Sequence, residues 1–337
     1  MKTALAIGIW LLAPLAAQAD ERPTVLVVVG AEGTEEFGKQ FRQWHDRWQK
    51  GAAGGEATFV SIGVDAEDKQ PDRELLKAAL LKASGKSNEA LWLVLIGHGT
   101  FDGQTARFNL RGPDVAANEL AEWLKPVKRP LAVINSTSAS APFLQALSGE
   151  NRVIVTATKS GQEHNFARFG DYLSAAMADP QADLDKDEQT SLLEAFILGA
   201  AGVAEFYDNE ARLATEHALI DDNGDGLGTP ADWFRGLRAI KAAKDGAALD
   251  GLRASQFHLV RSKRERDLPP EARQQRDKLE QDLAALRERK VDLGEEEYYR
   301  EIEGILLALA QLYEQNERHG DPPAADAPAA HSAPDKP

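Results

Sequence analysis

Two periods of apolar residues run through the first half of the chain. Short apolar stretches closed by Gly or a polar residue occur at TVLVVVG (24–30), ATFVSIGV (57–64), LWLVLIG (91–97), LAVIN (131–135) and RVIVTAT (152–158). Such runs predict strands buried on both faces. Between them the period lengthens. Phe37, Phe41, Trp44 and Trp48 follow one another at spacings of four and three, which predicts an amphipathic helix over 35–50. Further helices are expected at 71–84, with Pro71 at its start, at 117–124, and from SAPFLQAL (140–147). Strand and helix alternating in this way predict a mostly parallel sheet with helices on both faces. Ligands meet such sheets at the carboxyl ends of the strands.

Beyond residue 165 the helical signal grows. One long helix or two are expected at 190–217, and another at 230–244. The chain changes character at Leu268-Pro269-Pro270. Leu279, Leu283 and Leu286 share one face of a first helix; Ile302, Ile305, Leu306, Leu309 and Leu312 or Tyr313 share one face of a second. VDLG (291–294) separates them, so the pattern predicts an antiparallel, coiled-coil-like α-helical hairpin. Such a hairpin docks on its own domain or forms an oligomer or partner surface. The Pro/Ala/Asp-rich tail from Gly320 is expected to be disordered. The expected organisation is a leader at 1–19, an α/β domain at 20–267, a helical hairpin at 268–319 and a tail at 320–337.

The leader is read from Lys2, the apolar run Ala4 to Ala17, and the small-residue site Ala17-Gln18-Ala19. It predicts a mature chain beginning near Asp20 in a periplasm or outside the cell. No later stretch is long and apolar enough to predict an integral membrane contact. The chain has no cysteine, so a disulfide-permissive compartment is met without disulfides. A formal charge of −15 argues against nucleic acid and anionic membrane as main partners.

Chemistry is suggested at two strand ends. The first is Gly97-His98-Gly99; an imidazole there is a candidate proton carrier, and Gly99 offers a backbone N–H. The second is Asn135-Ser136-Thr137-Ser138-Ala139-Ser140. An apolar strand ending in Gly-His-Gly, then an apolar strand ending in a polar and a small residue, resembles the caspase-like clan, in particular the legumain-type and gingipain-type peptidases and their bacterial relatives. The resemblance extends from residue 24 to about 260 and implies a caspase-like three-layer α/β fold. It also implies a His98 dyad in which Thr137 occupies the cysteine position and Ala139-Ser140 replace a Ser-Gly pair. A thiol is partly ionised near neutral pH and an alcohol is not, so the exchange is expected to abolish most activity. The leading expectation is a pseudo-peptidase that binds a peptide or protein. The alternative is a hydrolase using Thr137 or Ser136 with His98. An α/β-hydrolase would need G-x-S-x-G between strand and helix, and the chain has no such element.

Two acidic stretches carry the spacing of calcium loops, which makes Ca²⁺ the candidate cofactor. IDDNGDGLGTPAD places Asp221, Asn223, Asp225, Gly226 and Asp232 at positions 1, 3, 5, 6 and 12, with helices expected on either side. ADLDKDEQTSLLEAF places Asp183, Asp185, Asp187, Ser191 and Glu194 at 1, 3, 5, 9 and 12, with Glu188 where a glycine is wanted. Arg261 to Arg266 reads as a solvated basic run.

Overall fold

β1 (Thr24–Val29) leads through Thr34, whose hydroxyl accepts the N–H of Phe37, into α1 (Glu35–Gly54). β2 (Thr58–Ile62), α2 (Asp72–Ala83) and β3 (Leu91–Ile96) follow. The chain next forms a small antiparallel sheet of β4 (Gly99–Phe101), β5 (Ala106–Phe108) and β6 (Val115–Ala116). α3 (Ala117–Leu124), β7 (Leu131–Asn135), α4 (Ala141–Leu147), β8 (Arg152–Thr156), α5 (Phe169–Met177) and α6 (Leu192–Asn209) complete the alternation. After them come β9 (Leu219–Asp221), β10 (Thr229–Pro230), β11 (Phe234–Arg235), β12 (Arg238–Ala239), α7 (Leu252–Ser255), α8 (Lys263–Asp267), α9 (Pro270–Glu288) and α10 (Glu295–Gly320). This computed structural model describes residues 22–64, 70–85, 87–244 and 248–320. The leader expected at 1–19 and all but the first residue of the expected tail lie outside the described residues.

The central sheet has the order β10-β9-β8-β7-β3-β1-β2. β2, β1, β3, β7 and β8 are parallel, while β9 and β10 run antiparallel. Side chains alternate between two packed layers. Val25, Val27, Trp92, Val94 and Ile134 face α1, α5 and α6. Leu26, Val28, Leu93, Leu95 and Val133 face α2, α3 and α4. Two covered faces are why these strands read as unbroken apolar runs. Trp44, Trp48 and Trp92 are all buried, as their spacing predicts. The α/β class, the mostly parallel sheet and the C-terminal helix pair are therefore as expected. The edge beside β9 is closed by Pro230, which has no N–H to offer a further strand.

The helix expected at 230–244 is not formed. The segment is β10, a 3₁₀ turn and the β11–β12 hairpin. Phe234 and Ala239 face each other across that hairpin and turn inward, Phe234 against Phe196. Burial of this pair on the domain outweighs the weak helical preference of the sequence.

The C-terminal hairpin docks on its own domain through α9. Glu89, almost fully buried, is held by Arg261 at 2.6 Å and by Arg273 at 2.8 Å. Buried Arg276 pairs with Glu265 and Asp277. Arg261 is thus part of a docking surface, while Lys263, Arg264 and Arg266 are exposed, as expected of a solvated face. α10 packs on α9, and Tyr298 and Leu312 of α10 and Leu283 and Leu286 of α9 are buried.

Candidate functional site

The ends of β3 and β7 are neighbours in the sheet, and both lie at its carboxyl edge. β4 leaves β3 and crosses directly over the segment that follows β7. The crossing is so close that a Cβ on Gly99 would lie 2.2 Å from the Ser138 carbonyl oxygen and 2.7 Å from Thr137 Oγ1, so only glycine fits there. The Gly99 N–H donates to Ser138 Oγ (3.3 Å), and that hydroxyl donates to the Gly99 carbonyl (3.1 Å). The structure thus brings the two predicted segments together.

It does not join their reactive groups. His98 Nε2 lies 3.3 Å from the Glu32 carbonyl and donates to it. The ring stands edge-on to Phe37 and Phe41 at centroid distances of 5.0 and 5.2 Å, with Phe166 at 6.1 Å. Thr137 is 0% exposed. Its hydroxyl lies 2.7 Å from Asn135 Oδ1 and 3.1 Å from the Ser138 carbonyl, and its N–H donates to the same Asn135 oxygen. Ser136 is buried and turned toward α5, where its Cβ would meet a methyl on Gly170 at 2.7 Å. Among the described residues no hydrogen bond links the imidazole to Ser136, Thr137 or Ser138.

Further groups of the loop are engaged as well, with Asn135 Nδ2 as an exception. Ala139 has a left-handed φ of 52° while buried, and its N–H donates to the Glu163 carbonyl at 2.8 Å. Ser140 Oγ lies 3.1 Å from Thr158 Oγ1 and accepts the Thr158 N–H. Asn135 Nδ2 is buried without a partner. Glu163 in turn accepts from His217 Nδ1 at 2.5 Å, which fixes the loop after β8 against the segment that leads into β9. Glu216, next to it, is buried at the N-terminus of α5 and accepts from the N–H groups of Arg168 and Phe169. Burial raises its carboxyl above the usual range despite those bonds. A cavity of about 360 Å³ opens beside Glu216 and His217, lined mainly by small aliphatic side chains such as Ala157, Ala200, Ala204 and Val203.

The two acidic stretches differ. Asp221, Asn223 and Asp225 sit in the turn between β9 and β10, flanked by strands rather than the expected helices. Asp221 accepts the Gly224 and Gly226 N–H groups. Pro230 pairs with Leu219, so Asp232 lies beyond the opposite end of this hairpin. It is not brought to the turn, and the position-12 assignment is corrected.

Asp183, Asp185 and Asp187 do converge, with one carboxylate oxygen from each within 4.8 Å of the others. Burial, then the charges of Asp187 and Glu194, push the Asp185 carboxyl up to about 6. Hard oxygens crowded in this way fit a calcium ion, which would relieve their repulsion. Glu194 is not among them. It caps α6, accepting from Ser191 N–H and hydroxyl and from the Leu184 N–H. Glu188, at the position wanting glycine, has a left-handed φ of 72°.

No family model and no curated protein matches the chain. Solved structures similar to it include two caspases. The Drosophila initiator caspase Dronc shares 13% identity at a TM-score of 0.42, over 60% of this chain and 80% of that one. Caspase-1 from Spodoptera frugiperda shares 8% at 0.39, over 60% and 86%. Raptor from Chaetomium thermophilum shares 10% at 0.32, over 48% of this chain and 18% of its own. These are likenesses of fold alone.

Asn135, Glu163 and His217 are the site residues that sequence reasoning missed. Glu163 and His217 are brought together only by the fold. Asn135 was readable as the polar residue closing a buried strand, although not as the acceptor that holds Thr137.

Proposed function

We propose that this is a caspase-like protein, exported to a periplasm or secreted, which has lost the peptidase reaction and holds a peptide or protein at the former substrate edge of its sheet. One observation carries this reading: the Thr137 hydroxyl is fully buried beneath Gly99 and bonded to Asn135, without an imidazole in contact. An alcohol needs a base in direct contact to become a nucleophile. An oxyanion needs free donors, whereas the N–H groups of Gly99, Thr137 and Ala139 are all occupied. A half-exposed ledge does remain accessible beside His98. Phe37 and Phe166 lie 4.5 Å apart there, and the Arg168 guanidinium stacks over Phe166 and Phe206. Aromatic and guanidinium faces of this kind suit a peptide chain.

The test is a fluorophosphonate probe and a peptide-substrate library applied to the wild type, His98→Ala and Thr137→Ala. No labelling and no turnover is expected in any of the three. Turnover in the wild type that both substitutions abolish would refute the reading and establish a hydrolase. Calcium at Asp183, Asp185 and Asp187 is proposed as a structural ligand at a distance from this edge.

A further inference from the structure

The β11–β12 hairpin has an outer face that the domain does not use. Phe234 and Ala239 form its inner pair and are packed on the domain. Arg235 and Arg238 form the next pair, directly opposite one another and both exposed. Cross-strand partners project from the same face with Cβ atoms about 5 Å apart, and like charges so placed repel. No carboxylate among the described residues forms an ion pair with Arg235, Arg238 or Lys241. The turn between the strands is Gly236-Leu237, with Gly236 at a φ of 57° and open space where a side chain would be. Leu237 is partly buried against the domain core, so it is the Gly236 side of the tip, with the Arg235–Arg238 face, that is open to a surface.

The charge continues beyond the pair. FRGLRAIKAAK (234–244) holds two arginines and two lysines and no acidic residue, between Asp232 and Asp245, in a chain of net charge −15. Lys241 and Lys244 are exposed. Lys241 lies over the Trp233 ring at 5.7 Å, and the Ile240 N–H donates to the Trp233 carbonyl. Ile240 is 44% exposed. Cations, a half-buried indole and an exposed isoleucine at one rim match the boundary between headgroups and acyl chains. A soluble polyanion would reward the cations but not the isoleucine. Charges screen over about 8 Å at physiological salt, so a surface pressed against the hairpin feels these cations more than the distant acidic ones.

We propose that the outer face of the β11–β12 hairpin is a peripheral docking site for an anionic lipid surface, with Arg235 and Arg238 taking phosphate headgroups between them and Ile240 entering the interface. This site is independent of the reading given to His98 and Thr137.

The test is cosedimentation of the full chain, as exported and processed by a secreting host, with vesicles of mixed phosphatidylglycerol and phosphatidylcholine or of phosphatidylcholine alone. Binding is expected only to the anionic vesicles and is expected to fall as salt is raised. R235Q/R238Q should lower the partition coefficient roughly thirtyfold, at about fivefold per charge. K278Q/K290Q, which changes the net charge equally on the distant C-terminal hairpin, should leave it unchanged. Thermal melting of R235Q/R238Q should match the wild type, which separates lost binding from lost folding. Equal binding by both double variants would overturn the proposal, as would binding to phosphatidylcholine alone. Capture of heparin without capture of vesicles would assign the face to a soluble polyanion. Full competition by millimolar inorganic phosphate would assign it to free phosphate. Either result sinks the lipid assignment.

Discussion

Three buried carboxylates around the β9–β10 turn, Asp221, Asp222 and Asp250, make stability depend on pH in an unusual direction. Asp222 and Asp250 are both almost fully buried, and their carboxyl groups interact directly. Asp250 also accepts the N–H groups of Asp222 and Asn223 and the Thr229 hydroxyl, while Asp222 accepts those of Gly251 and Ala254. The clasp ties the turn to α7. Arg253 is the cation beside it, with its Nε on the Asp222 carbonyl, and Asp221 is a third buried carboxylate nearby. Burial first, then the charge of Asp222, pushes the Asp250 carboxyl from 3.8 up to about 8. Burial also raises Asp222. Between about pH 4 and 8 the folded chain therefore holds a proton that the unfolded chain has lost. The stabilisation is complete below pH 4, falls as pH rises to 8, and is flat above. That window is about four pH units wide, and at about 1.4 kcal/mol per unit the ceiling on the loss is roughly 6 kcal/mol. Asp250→Asn keeps the acceptor for both N–H groups and removes the titration. Urea unfolding followed by tryptophan fluorescence from pH 5 to 9 should show a steeper decline in the wild type than in Asp250→Asn, where other buried carboxyls such as Asp222 and Glu216 still contribute. The variant should be the more stable protein at pH 8 by at least ~1 kcal/mol. Parallel curves for the two proteins across this range would refute the shared-proton account.

Glu89→Gln should cost about 3 kcal/mol, because it leaves Arg261 and Arg273 without their buried partner, and should expose the 262–270 linker to protease; an undiminished protease resistance would speak against ionic docking of α9. At residue 139 glycine should be tolerated within about 1 kcal/mol, while valine should cost more than ~2 kcal/mol, since a β-branched side chain resists the left-handed φ and the site has no room; thermal melting of both variants checks this. Millimolar calcium should raise the melting midpoint by a few degrees, and Asp185→Asn should abolish the rise; a calcium shift that survives the substitution would place the ion elsewhere. Thr137→Cys should remain without peptidase activity and should react slowly with iodoacetamide, as measured by mass spectrometry.

The sheet was legible because both its faces are covered. Val25 to Val29 and Leu91 to Ile96 carry no polar interruption, and a strand buried on two sides has no other way to be written. That the ends of β3 and β7 lie side by side was implied by the resemblance, and the sheet order shows those strands as neighbours. What the sequence hid was local. The stretch 230–244 reads as a helix, yet the inward pair Phe234 and Ala239 settles on a hairpin instead. The acidic pattern at 221–225 fits a calcium loop and an Asx-rich hairpin turn equally well, since each needs oxygen acceptors at alternate positions. A sum of −15 averages over the whole surface and does not display the local run of four basic and no acidic side chains at 234–244. Glu163 and His217 carried no signal at all, being 54 positions apart and joined only by the return of the chain to β9.

The loop after β7 carries two defects within an otherwise saturated set of bonds. Asn135 Nδ2 is buried without an acceptor, which costs about 1–3 kcal/mol, and Ala139 is held in a left-handed conformation that costs about 1 kcal/mol more. Such costs persist where the surroundings over-determine the backbone. Here the surroundings are the Glu163 carbonyl on Ala139, the Thr158 pair on Ser140 and the backbone of Gly99 pressed over Thr137. None of these contacts faces outward. The geometry of the loop is therefore imposed by the scaffold rather than held ready for a substrate. A thiol installed at 137 would inherit the same roof and the same distance from an imidazole already turned to Glu32. Restoring sulfur alone would supply the nucleophile without the access, the base or the oxyanion donors that a peptidase requires.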